Sequence, residues 1–161
     1  MEYTDEYLKA VESRHGSTSN LEAGVEKFGM SFADLTHEEI DSKMAELYAE
    51  SLYFNDTIHT FTRREDLVQY FRRTGEGLTS SRVEVHDVVE NGPDVYVRWL
   101  MEIEFRALGR DIKSSSIGMT HLRFNEDGQV ILHQDFWDGA NALYAHIPIV
   151  GFAIRRVQNR L

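Results

Sequence analysis

The chain has 161 residues, no cysteine, and 27 Asp or Glu against 17 Lys or Arg, a formal charge of −10. That length suits one domain, burying roughly 68–70% of its unfolded surface. The missing cysteine excludes disulfides and thiolate chemistry, and an acidic chain without a basic stripe excludes a nucleic-acid surface.

Residues 1–19 close on the turn formers HGSTSN and are expected to be a tail or a short helix. No apolar run approaches the roughly 18 residues of a membrane span, and the acidic start is not a signal peptide, so a cytoplasmic protein is expected. Asn20 is placed to cap a helix through Leu21, Val25 and Phe28 toward Phe32 and Leu35. Thr36 and Glu39 have the spacing of a capping box, ahead of Ile40, Met44, Leu47 and Tyr48 at helical spacing. SLYFNDTIHTF, from Ser51, reads as a strand or hairpin carrying Asp56 and His59, and residues 64–73 as a third amphipathic helix, with Leu67, Val68, Tyr70 and Phe71 as its apolar side, ended by Gly75 and Gly77.

Sheet follows. Residues 82–90 alternate Val83, Val85, Asp87 and Val89 against Glu84, His86 and Val88. Residues 95–106 set Val95, Val97, Trp99, Met101, Ile103 and Phe105 against Tyr96, Arg98, Leu100, Glu102 and Glu104, so the first face must be core. Residues 112–124 make the next strand and 129–137 the last. Pro148 then opens a C-terminal helix with Ile149, Phe152, Ala153, Arg156 and Val157 along one stripe. Helices first and a meander after predict an α+β fold, a cone-shaped curved antiparallel sheet around the leading helices, with an extra C-terminal helix over 147–161 and the cone over 20–146.

The last strand carries the chemistry. Alternation puts His133, Asp135 and Trp137 on one face and Leu132, Gln134 and Phe136 on the other. The Cβ atoms of i and i+2 are roughly 6.5–7 Å apart on a flat strand, so a water or ligand is expected to bridge His133 and Asp135. His121 and His86 fall on the opposite side, which is expected to serve structure or an interface.

MAELYAESLYFND at 44–56 and THLRFNEDGQVILHQDFWD at 120–138, with the gap between them, resemble the nuclear transport factor two-like superfamily, and within it the SnoaL-like polyketide cyclases and ketosteroid isomerases. The resemblance covers about residues 30–145 and implies a cystatin-like α+β barrel whose mouth holds a small apolar molecule. It also implies pairing of two copies through the outer sheet face, where Arg98, Leu100, Glu102 and Glu104 lie. By position, Asp56 corresponds to the carboxylate that moves a proton in ketosteroid isomerases, while Asp135, and second Asp138, correspond to the acid/base Asp of SnoaL-like cyclases. A His backed by an Asp, as in scytalone dehydratase-like members, resembles His133 with Asp135. Phe32 and Thr120 stand where the isomerases keep their oxyanion Tyr and protonated Asp. Phenylalanine has no donor, and losing one such donor typically costs about 100–1000-fold in rate, so Δ5-3-ketosteroid isomerase activity is not expected.

These readings give Asp56, His133 and Asp135 as the candidate catalytic groups, with Asp135 accepting from one nitrogen of His133 while the other serves the ligand. Phe32, Tyr48, His59, Val97, Trp99, Met101, Thr120, Leu122 and Trp137 are the candidate ligand-binding residues. No metal or cofactor is expected, because His59, His133, Asp56 and Asp135 lack close-spaced ligand motifs and the chain has no dinucleotide or phosphate-cradling loop. Cofactor-free isomerisation, cyclisation or dehydration stands beside a non-catalytic binding or interaction domain.

Overall fold

The computed structural model describes residues 3–146 and 148–160. Met1 and Glu2 of the expected tail, and Ile147 and Leu161 of the expected C-terminal segment, lie outside the described residues. No helix among the described residues is long and apolar enough to cross a membrane.

Four helices come before the long strands or between the first ones: α1 (Tyr3–Ser13), α2 (Leu21–Phe32), α3 (Ile40–Leu47) and, after β1 (Tyr48–Asn55) and β2 (Thr60–Arg63), α4 (Arg64–Gly77). Strands β3 (Leu78–Asn91), β4 (Asp94–Ala107), β5 (Arg110–Phe124) and β6 (Val130–Trp137) follow, then α5 (Gly139–Ala142), a 3-10 turn over Tyr144–His146 and α6 (Pro148–Gln158). All six strands form one sheet in the order β2-β1-β6-β5-β4-β3. Every neighbouring pair is antiparallel except β1 with β6, which run parallel because β1 enters from the helical layer rather than through a hairpin.

Strands of fourteen and fifteen residues cannot stay flat. The sheet curls without closing, so it makes an open cone rather than a barrel. Its concave face takes the alternation read from residues 95–106: Val95, Val97 and Trp99 are buried, and Val95 and Val97 share a core with Met44, Leu47, Leu67 and Phe71 from α3 and α4. Burying each such side chain contributes about 1.5–3 kcal/mol.

Four local expectations change. The capping box does not form, because Asp34 Oδ1 takes the Thr36 amide at 2.8 Å and its hydroxyl at 2.6 Å, and α3 starts at Ile40 instead. Asn20 precedes α2, but its side chain reaches the Glu126 carbonyl across the sheet rather than a helix amide. Tyr48 is the first strand residue and not part of the α3 stripe. In β3, a bulge at His86 shifts the register, so Val83 and Val85 face inward opposite Met101 and Trp99, but Val88 rather than Asp87 or Val89 continues that face opposite Val97.

The N-terminal segment is a helix with a defined seat. α1 packs on the convex face, where Ala10, Tyr7 and Val11 meet Tyr53 and Leu132. Gln134, on the face pointing away from the cone, is thereby buried and bonded to Tyr53 Oη at 2.8 Å and Asn55 Oδ1 at 2.9 Å.

Candidate functional site

The concave side of β6 presents His133 and Asp135, and their side chains meet directly, with Nε2 2.9 Å from Oδ1. No bridge is needed: on the inside of a curled sheet, side-chain tips converge where those on a flat strand run side by side. Partner chemistry then assigns each proton. The Trp99 indole only donates, so Thr120 Oγ1 accepts from it at 2.8 Å and sends its own hydrogen to Asp135 Oδ1 at 2.5 Å. The carboxylate only accepts, so His133 Nε2 carries a proton. Nδ1 lies 2.8 Å from Tyr48 Oη. Burial pushes the Tyr48 phenol well above its ordinary value, with the Asp135 and Asp56 charges adding to the effect. That hydroxyl therefore keeps its proton and donates to Nδ1.

The result is a one-way chain in which Tyr48 donates to His133, and His133 and Thr120 both donate to Asp135 Oδ1. Oδ2 has no hydrogen-bond partner among the described residues, and Asp135 lines the cavity. Gly118 makes the Trp99 link possible: it pairs with Trp99 across the β4–β5 ladder, and a Cβ there would collide with the indole.

A second carboxylate enters from the other wall. Asp56 ends β1 and accepts the amides of Ile58 at 2.9 Å and His59 at 2.7 Å on Oδ1, while Tyr70 on α4 donates to Oδ2. The Asp56 carbonyl accepts the Trp137 indole at 2.8 Å, which ties the end of β6 to the β1–β2 turn. Burial, with Asp56 beside it, raises the Tyr70 phenol well above its ordinary value, so Tyr70 remains a donor.

Between these groups lies a cavity of about 350 Å³ whose wall is largely aromatic and aliphatic. Phe28, Phe32 and Phe71 close it from the helices, Trp99, Met101 and Ile103 from β4, and Trp137 from β6. Asp56 and Asp135 both line it, and no group of three His, Cys, Asp or Glu among the described residues is arranged to hold a metal ion.

The profile of the SnoaL-like domain matches residues 30–133, well over half of the chain. The chain belongs to the SnoaL-like domain family. Solved structures share its fold at low sequence identity. A Catenulispora acidiphila protein with a ketosteroid isomerase-like fold, in complex with trimethylamine, is 16% identical over 76% of this chain and 90% of its own, with a TM-score of 0.64. A Shewanella denitrificans protein named for the SnoaL-like polyketide cyclases is 16% identical over 74% and 93%, also at 0.64. An LEH-like epoxide hydrolase of M. tuberculosis is 13% identical over 86% and 98%, at 0.63. No protein of curated function matches the sequence.

In this SnoaL-like protein, eight of the twelve residues singled out in the sequence line the cavity: Asp56, His133, Asp135, Phe32, Trp99, Met101, Thr120 and Trp137. Four do not. Val97 and Leu122 are fully buried in the core below the cavity floor, because the narrow end of the cone is filled by side chains of α2 and α3. Tyr48 is fully buried behind His133. His59 is exposed on the β1–β2 turn and lies against Phe61 and Tyr70, outside the cavity. The role assigned to His133 also changes: it is 1% exposed and both nitrogens are engaged, so neither is open to a ligand. Asp138 caps α5 through the Asn141 amide at 3.1 Å, and the Asn141 side chain, together with that amide, holds its carboxyl below the ordinary value.

Tyr70 is the residue that the sequence reading left among the apolar positions of its helix. The available signal was its phenol at the border of an apolar stripe, where a half-buried hydroxyl needs a partner.

Proposed function

We propose that this SnoaL-like protein binds a small, largely apolar, carbonyl-bearing molecule in the cone and moves a proton on it without a cofactor, with Asp135 as the base. The observation that carries this reading is the state of the Asp135 carboxylate. Its Oδ1 is held by Thr120 and His133, its Oδ2 is unbonded among the described residues, and the residue lines a largely apolar cavity. A carboxylate fixed in this way presents one oxygen in one direction, and the surrounding aromatic wall excludes the water that would compete for it. His133 positions Asp135 rather than touching the ligand, and Tyr48 fixes the His133 tautomer. Across the cavity, Tyr70 gives its one hydrogen to Asp56, and it reaches a ligand carbonyl by turning that hydrogen from Asp56 to the oxygen as charge develops there. Such a pair of sites suits isomerisation, aldol-type cyclisation or dehydration, in which a proton leaves carbon and another reaches oxygen.

The test uses a ketone that fits the cavity. Wild-type protein should accelerate loss of the α-proton NMR signal of 1-tetralone in D2O. Asp135→Asn should lower that rate by about 100-fold or more while the ketone still binds. Equal rates in the two proteins would remove Asp135 from the chemistry. Binding without exchange in either would favour a ligand carrier, the reading suggested by the full bonding of Asp56 and His133.

We also propose that two copies pair through the convex sheet face. Ile117, Met119 and Phe136 are exposed there, beside Arg98 and Glu102 of opposite sign. A twofold axis over such a patch can bury its apolar centre and set each arginine against a glutamate of the other copy.

A further inference from the structure

Among the described residues that line the cavity, Arg73 is the one arginine or lysine, set in a largely apolar wall that also carries the two carboxylates, Tyr70, Thr74, Thr120 and His133. It belongs to a strip of α4 formed by Tyr70, Arg73 and Gly77, at i, i+3 and i+7, that borders the mouth. Gly77 leaves the space next to it open, since a Cβ there would meet nothing within 4 Å. The preceding Arg72 is held by Asp41 at 2.8 Å, whereas Arg73 is exposed and has no hydrogen-bond or ion-pair partner among the described residues. A guanidinium in that position offers a planar, two-pronged donor to an anion at the rim.

The two carboxylates repel an anion from the region of β1 and β6. An acidic ligand therefore has one favourable orientation, apolar body inward and charged end at α4. We propose that Arg73 receives a carboxylate, and that the ligand of this cavity is an apolar carboxylic acid. The inference rests on the cavity being the ligand site, as proposed above, and adds the chemical class of what enters it. A neutral molecule of the same shape would fill the aromatic wall equally well but leave Arg73 to water, so the acid gains a preference that its ester lacks.

The chain's two tryptophans, Trp99 and Trp137, both line the cavity, so intrinsic fluorescence reports its occupancy. The probes are 4-tert-butylcyclohexanecarboxylate and its methyl ester, titrated at pH 7.5 into wild-type protein and into Arg73→Ala, Arg73→Lys and Arg73→Glu. The expected result is that the acid binds wild type about fivefold more tightly than the ester, an advantage that shrinks as NaCl is raised. It should be lost in Arg73→Ala, reversed in Arg73→Glu and partly kept in Arg73→Lys, with ester binding and thermal melting unchanged throughout. If the ester binds but wild type shows no preference for the acid, or if the preference survives in Arg73→Ala, the role of Arg73 is overturned and the cavity stands. If neither probe changes the fluorescence up to millimolar concentration, the cavity reading falls, and this inference with it.

Discussion

Tyr48 stands at the end of a helical stripe in the sequence and at the back of the site in the fold. Its hydroxyl is the donor that fixes the His133 tautomer. Tyr48→Phe removes that donor and leaves a buried ring nitrogen unpaired, at a cost of about 1–3 kcal/mol that urea denaturation should detect. In the tetralone assay the same variant should lose less rate than Asp135→Asn, because it loosens the base without removing it. At this scale the sequence was legible in part. Period-two alternation is a property of any strand, and it placed His133, Asp135 and Trp137 together correctly. Which nitrogen of His133 carries the proton depends on a residue 85 positions away, and no local pattern carries that.

α1 shows what an element adds beyond its periodicity. His121 lies under it, 1% exposed, with Nε2 2.7 Å from Asp94 Oδ1, Nδ1 3.0 Å from Tyr7 Oη, and Tyr96 stacked on its ring. Arg123 donates to Asp94 at 2.6 Å and to the carbonyls of Val11 and Arg14 at 2.6 and 3.0 Å, so it both neutralises Asp94 and caps the end of α1. Burial lowers the His121 imidazole below its ordinary value, against the pull of Asp94. Asp94 is held low too: burial alone would raise it, but the Arg123 and His121 donors outweigh that. For His121 the unfolded chain binds a proton more readily than the folded one. Its contribution to stability is therefore complete above the unfolded value, about 6.5, and declines as pH falls below it. The protection of the α1 amides against hydrogen exchange, corrected for the intrinsic rate at each pH, should be lower at pH 5.5 than at 7.5, and His121→Gln should flatten that dependence. An unchanged pH response in the variant would show that another group titrates. The segment read as a tail or short helix owes its seat to partners on β1, β4, β5 and β6 that the first nineteen residues cannot reveal.

For the whole molecule, α1 leaves part of the convex face uncovered. Tyr7 touches Phe136 edge-on at 5.9 Å, and beyond that contact Ile117 and Met119 on β5 remain exposed. Light scattering after gel filtration should therefore give the mass of two chains, and Ile117→Glu should give the mass of one without altering ester binding in the cavity. A wild-type monomer would refute the pairing. The predicted cone was right in its curvature and its helical filling, but the sheet stays open and β1 joins it in parallel with β6.

The sequence by itself determined the class of the fold, the inward faces of β4 and β6, and the placing of acid, imidazole and indole on one side, because side-chain period and turn chemistry are local. Only the tertiary structure decided which of those groups stays open. Curvature brought His133 onto Asp135, core packing buried Val97 and Leu122, and the meeting of α4 with β1 gave Asp56 its partner in Tyr70. Those outcomes depend on distances between residues far apart in the chain, fixed once the hydrophobic faces are buried together.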